Sequence, residues 1–130
     1  MQHESALKRT AKTNPAAPAV NFTGKWHNQL TSTVDISVQG SSVTGDYESA
    51  VSGTGTTIKG KLVGYVNGDL IAFTVNWPTA AITAWVGQLT VENGVDTIKT
   101  LWQMTKNVED ANEATGLWAS INAGADNFVR

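Results

Sequence analysis

"IKGKLVGYVNGDLIAFTVNW", Ile58 to Trp77, is the stretch that decides the fold. Ile58, Gly60, Leu62, Gly64 and Val66 alternate with Lys59, Lys61, Val63 and Tyr65. A period of two is the spacing of a strand with one face on a core. "NGD" at 67–69 interrupts the pattern, which resumes with Ile71, Phe73, Val75 and Trp77 against Leu70, Ala72, Thr74 and Asn76. Two alternating runs joined by Asn-Gly predict an antiparallel hairpin.

The same period extends in both directions. Upstream, "GKWHNQL" puts Trp26, Asn28 and Leu30 on one face, and "TVDISV" aligns Val34, Ile36 and Val38. "VTGDYESAV" then sets Val43, Gly45, Tyr47, Ser49 and Val51 opposite Thr44, Asp46, Glu48 and Ala50. Downstream, "AITAWVGQLTV" aligns Ala81, Thr83, Trp85, Gly87, Leu89 and Val91. After an "ENG" turn, "VDTIKTLWQMT" aligns Asp96, Ile98, Thr100, Trp102 and Met104. "KNVEDANEATG" reads as a polar loop with one helical turn at most, and "LWASINAGADNFV" as a last strand. Eight consecutive strands with short turns predict an all-β, eight-stranded antiparallel up-and-down β-barrel. Closure removes the edges and leaves an interior fit for side chains or one small ligand. Val63, Leu70 and Leu101 fall on the outer face, which suggests that barrels pack on one another.

Residues 1–20 mix Ala, Pro, Lys, Thr and Asn without periodicity and read as a flexible N-terminal tail, with the barrel over 21–130. The chain has 130 residues, a formal charge of -2 and no cysteine. Setting aside Lys8, Arg9, Lys12 and Glu4 of the tail leaves six basic against ten acidic residues. A mildly acidic domain without a basic cluster argues against a nucleic-acid partner. No apolar run reaches membrane-spanning length, and the first twenty residues hold no apolar signal core.

Catalytic constellations are missing from the pattern. His3 sits in the tail and His27 alternates outward beside Trp26, so neither a metal site nor a base for a serine nucleophile is indicated. Asp35, Asp46 and Glu48 read as solvated or mixed positions, and "SGTGTT" lacks the lysine and helix of a phosphate loop. The residues point to a binder, not an enzyme, with no cofactor. Five tryptophans suggest an aromatic-lined cavity. Tyr47 and Ser49 on the buried face raise the question that a ligand answers, because a buried polar group is costly unless something hydrogen-bonds it. A small polar ligand inside the barrel, a carbohydrate or peptide on an open groove, and a structural or inhibitor barrel with no ligand all fit the residues alone.

Six motifs in order narrow this choice: "FTGKWHNQLTS", "VTGDYESAV", "FTVNW", "TAWVGQ", "TLWQMT", and Trp118 followed by Gly124, Asp126 and Phe128. Over 22–129 the chain resembles the avidin–streptavidin family of biotin-binding proteins. The resemblance implies the streptavidin-like barrel and one biotin held without covalent chemistry. It implies that Asn28, Ser32 and Tyr47 donate to the ureido oxygen, that Ser49 and Asp126 accept from the two ureido N–H groups, and that Thr83 meets the ring sulfur. Trp77, Trp85, Trp102 and a neighbouring subunit's Trp118 would box the bicyclic ring, with Met104 in place of a more usual leucine. Trp26 would close the narrow end as a structural residue. The chain departs from the pattern where relatives hold the tail carboxylate, since Ala81 stands in place of a serine. Val51, Ser52, Gly53 and Thr54 belong to a longer loop whose N–H groups and hydroxyls would take over. The resemblance also implies a secreted or periplasmic origin and a homo-oligomer, a tetramer favoured over a dimer.

Overall fold

The computed structural model describes residues 2–13, 20–50 and 56–130. Eight antiparallel strands form a closed barrel in sequence order: β1 (Gly24–Asn28), β2 (Thr33–Gln39), β3 (Ser42–Ser49), β4 (Ile58–Asn67), β5 (Leu70–Asn76), β6 (Ala81–Glu92), β7 (Val95–Lys106) and β8 (Ile121–Val129). β8 closes on β1 through His27↔Val129 and Asn28↔Phe128.

Three two-residue turns, after β2, β4 and β6, lie at one end of the barrel. Asn93 and Gly94 both have positive φ, the pattern of a type I′ hairpin, whose twist matches the strands it joins. Gly68, at φ 59°, opens the turn of the Ile58–Trp77 hairpin, and Val66↔Ile71 and Leu62↔Val75 pair across it as the alternation requires. The longer connections leave from the opposite end. The site is built at that end.

Inward positions make the core. Trp26, Val34, Ile36, Val43, Leu62, Ile71, Phe73, Val75, Ile98 and Phe128 are buried. Each buried aliphatic side chain contributes about 1.5–3 kcal/mol, which explains why the alternation fixes register so firmly. Trp26 donates from Nε1 to the Phe22 carbonyl at 2.9 Å, and the Arg130 guanidinium lies 4.4 Å over its ring. Arg130 also reaches the Asn21 carbonyl and Asp96, pinning the last residue across the β1 and β7 regions. Trp26 is thus a structural tryptophan, as expected.

Three local readings are corrected. Leu30 does not continue the face of β1 but is exposed in a turn, because the Asn28 side-chain oxygen accepts from the Leu30 and Ser32 backbone N–H groups and Thr31 takes φ 66°. Val91, expected on the inner face, is exposed near the β6–β7 turn. The polar connection after β7 holds more than one helical turn: a 3₁₀ turn at Asp110–Asn112, helix α2 at Glu113–Gly116 and a second 3₁₀ turn at Trp118–Ser120. The last strand therefore begins at Ile121 and not at Leu117. Within the expected flexible tail, His3–Thr13 forms helix α1, with Glu4 in its first turn. Its Ala, Leu, Lys and Arg are good helix formers, but no apolar stripe betrays a helix whose described side chains are nearly all exposed.

Candidate functional site

A cavity of about 500 Å³ opens at the end of the long connections. Its wall includes Tyr47 and Ser49 of β3, Thr83 and Trp85 of β6, Trp102 and Met104 of β7, Asp126 of β8, and Trp77 just beyond β5. All are positions that a strand's alternation directs inward.

The polar groups of the wall are held by side-chain hydrogen bonds that join different elements. Asp126 accepts from Trp85 Nε1 at Oδ2 (2.9 Å) and from Gln29 Nε2 at Oδ1 (3.0 Å). A carboxylate has about four acceptor sites, so each oxygen retains capacity for another donor. The Asp126 backbone carbonyl takes the Thr100 hydroxyl at 2.9 Å, which fixes the residue to β7. Trp77 Nε1 donates to Thr83 Oγ1 at 2.8 Å, leaving the Thr83 hydroxyl its own proton to donate elsewhere.

Tyr47 is buried, with Trp85 stacked on it at 4.9 Å and Trp77 edge-on at 5.4 Å. Phe73 stacks on Trp85 at 5.1 Å, so Tyr47, Trp85 and Phe73 pack as a continuous aromatic stack. Burial first, and the Asp126 charge second, push the phenol well above its ordinary range, while a hydrogen bond with the Ser32 side chain acts in the opposite sense. Tyr47 is therefore a neutral O–H donor near neutral pH. The Ser32 Oγ also accepts from the Ala50 N–H at 3.1 Å.

Asn28 and Ser32 are buried but do not line this cavity. Ser32 reaches the site by its bond to Tyr47, and Asn28 orders the turn that carries Ser32. With its oxygen engaged by two backbone N–H groups, Asn28 can offer a ligand only its amide N–H donors. Trp118 lines no part of its own chain's cavity and is 87% exposed. Val51, Ser52, Gly53 and Thr54 lie outside the described residues.

Sequence reasoning missed Gln29, Thr100 and Lys106. Gln29 sits next to Asn28, but its partner Asp126 is 97 positions away and only barrel closure joins them. Thr100 carried a signal, since it shares the inward face of β7 with Trp102 and Met104. Lys106 ends the same alternation at the rim. Among the described residues no cluster of His, Cys, Asp and Glu could hold a metal ion.

Residues 16–130 match the model of the avidin family. The solved structures that resemble the chain include Xenavidin, with 29% identity and a TM-score of 0.73 over 85% of this chain and 96% of that one. They also include a rhizavidin–biotin complex, with 29% identity and a TM-score of 0.66 over 82% of this chain and 97% of that one.

Proposed function

The chain belongs to the avidin family, and from that premise we propose that its barrel binds biotin non-covalently, one molecule per cavity and without turnover. The observation that carries this reading is that one aromatic cavity is lined both by the Asp126 carboxylate, braced by Trp85 and Gln29, and by a neutral Tyr47 hydroxyl. A cyclic urea presents the complement, with one oxygen that accepts and two N–H groups that donate.

In this reading Tyr47, Ser32 and the Asn28 amide donate to the ureido oxygen. Asp126 and Ser49 accept from the two N–H groups, and the Thr83 hydroxyl meets the ring sulfur. Donors at the oxygen and a carboxylate at the opposite side polarise the urea along its length, and charge-assisted bonds are the stronger kind. Trp77, Trp85 and Trp102 enclose the apolar body. Titration calorimetry with free biotin tests the proposal: a stoichiometry of one per chain is expected, and a Kd weaker than micromolar refutes it.

The assembly belongs to the same proposal. We read the protein as a tetramer built as a dimer of dimers, with Trp118 closing the cavity of a neighbouring subunit. An indole that is 87% exposed supports this, as does an outer face carrying exposed Val63, Tyr65, Val86 and Leu101 on neighbouring strands. Mutual exchange of Trp118 needs a two-fold pair, since each barrel both gives and receives. Mass from light scattering separates tetramer, dimer and monomer. A monomer with and without biotin overturns the assembly.

A further inference from the structure

Only two charged side chains line the cavity among the described residues, Asp126 and Lys106. Asp126 is paired with Thr100 on β7, and Lys106 lies six residues further along that strand. Thr100, Trp102, Met104 and Lys106 occupy successive positions on one face, so the backbone runs about 20 Å from Thr100, opposite Asp126, to Lys106. The cavity is therefore dipolar. It suits an occupant with N–H donors at the inner end and an anion at the rim.

Beside Lys106, the Thr79 side chain is the one other polar side chain that the β5–β6 turn and the end of β7 bring to this rim among the described residues, and it carries no charge. Lys106 pairs with Ala81, which has no polar side chain. The Ala81 N–H is used by the Thr79 carbonyl at 2.8 Å and the Trp77 N–H by the Ala81 carbonyl at 3.1 Å. The Asn107 N–H is held by the Ala80 carbonyl at 2.8 Å. These bonds close the turn between β5 and β6 and tie it to the end of β7. Lys106 makes no ion pair with any described residue. Among the described residues, the acidic side chain that shares the adjoining groove with Lys106 is Glu113 of α2.

We infer that Lys106 binds the carboxylate of the ligand's aliphatic tail and so selects free biotin over its neutral esters. This rests on the reading of the cavity as a biotin site. Lys106 is the register partner of Ala81, which offers the tail no hydroxyl, and a flexible lysine serves as a point charge for a carboxylate whose position in the mouth varies.

Competition binding of biotin and biotin methyl ester to the parent, Lys106→Ala, Lys106→Arg and Lys106→Glu chains tests this. Lys106→Ala should weaken biotin about three- to tenfold, between the value of an exposed ion pair and that of a bond to a charged group. The ester should change less than about twofold, the limit expected of a partner that makes no ionic contact. Lys106→Arg should retain the preference for the acid, and Lys106→Glu should reverse it. Raising salt should weaken biotin in the parent but not in Lys106→Ala. Equal losses for both ligands would assign Lys106 to packing. No loss for either would mean that the 51–54 loop carries the carboxylate or that Glu113 holds the ammonium, and both overturn the proposal. A parent that binds neither ligand fails at the biotin reading itself, which distinguishes that failure from this one.

Discussion

At the inner end of the cavity, Asp126, Trp85, Gln29, Thr100, Tyr47 and Ser32 are joined by bonds between elements far apart in sequence. At the rim, Ala81, Met104 and Lys106 come from strand ends, and Trp118 points into solvent. The inner end is finished by one chain's own fold. Bonds already made there cost no ordering when a ligand arrives, which is the physical content of preorganisation. On the assembly proposed above, the rim is completed from outside, by the ligand and by a second subunit. Substitutions at the two ends should therefore fail differently, in ligand recognition at the first and in residence time at the second.

The largest effect is expected from Asp126→Asn. Both carboxylate oxygens already accept N–H groups, from Trp85 and from Gln29. An amide in their place turns an NH₂ group toward one of those donors and removes the negative charge facing the cavity. Biotin affinity should fall by about 2–5 kcal/mol, as when one side of a buried charged hydrogen bond is truncated. Calorimetry showing affinity within about twofold of the parent, against a loss of that size, would remove Asp126 from the site. Loss of cooperative unfolding together with binding would instead make the carboxylate a structural group.

Trp118→Ala comes next and probes the rim. An exposed side chain contributes little to its own barrel, so the thermal midpoint of ligand-free protein should hardly move. If Trp118 caps a neighbour's cavity, its removal should cost about 2–4 kcal/mol of binding, the range of an aromatic hot spot. That loss should come from faster release, since a lid opens without altering encounter. Stopped-flow release of a fluorescent biotin derivative reads this directly. Unchanged release would leave the rim without an inter-subunit lid.

The contrast between the ends also explains what the sequence made legible. Strands that bury one face write their register as alternation, and this identified the inward Tyr47, Thr83, Trp85 and Trp102 as neighbours of one interior, whereas Asp126 came from the family pattern. The Asn-Gly turns supplied the antiparallel order. Gln29 was invisible because it acts across barrel closure, from a turn that offers no period to read. The helical turns after β7 were underestimated because a polar 14-residue connection has no apolar stripe. The chain's first helix was missed for the same reason. The aromatic box was recognised from a family pattern; its edge-on and stacked angles could come only from coordinates.

Gly124→Ala sharpens the boundary between the ends at the level of Trp102. A methyl at this position would lie 2.6 Å from Trp102 Cζ2 and 3.0 Å from its Nε1. The indole must shift, and overpacking of this kind typically costs about 1–3 kcal/mol. Both the unfolding midpoint and biotin affinity should fall, because the same ring belongs to the cavity wall. Thermal melts with and without biotin measure the two together. A normal midpoint with normal affinity would show that the β7–β8 wall yields more readily than its geometry implies.

The smallest effect near neutrality concerns Tyr47, and here the inner end predicts a silence followed by a loss. The phenol's ordinary value is 10.0, and in the fold burial and the Asp126 charge raise it. Below about pH 10 both folded and unfolded chains hold the proton, so this group adds no pH dependence to stability. Above that value the unfolded chain releases the proton while the folded chain keeps it. The folded state then binds more protons, and stability must fall as pH rises toward the folded value. Tyr47→Phe removes the titration and should flatten the alkaline limb of a denaturant-midpoint profile. At pH 7 the same variant should unfold as one cooperative barrel yet bind biotin less tightly, by about 0.5–1.5 kcal/mol for one neutral hydrogen bond. An alkaline limb as steep in Tyr47→Phe as in the parent would assign the loss to groups other than this phenol. It would also mean that the hydroxyl at the centre of the inner end is less sheltered than the aromatic stack around it implies.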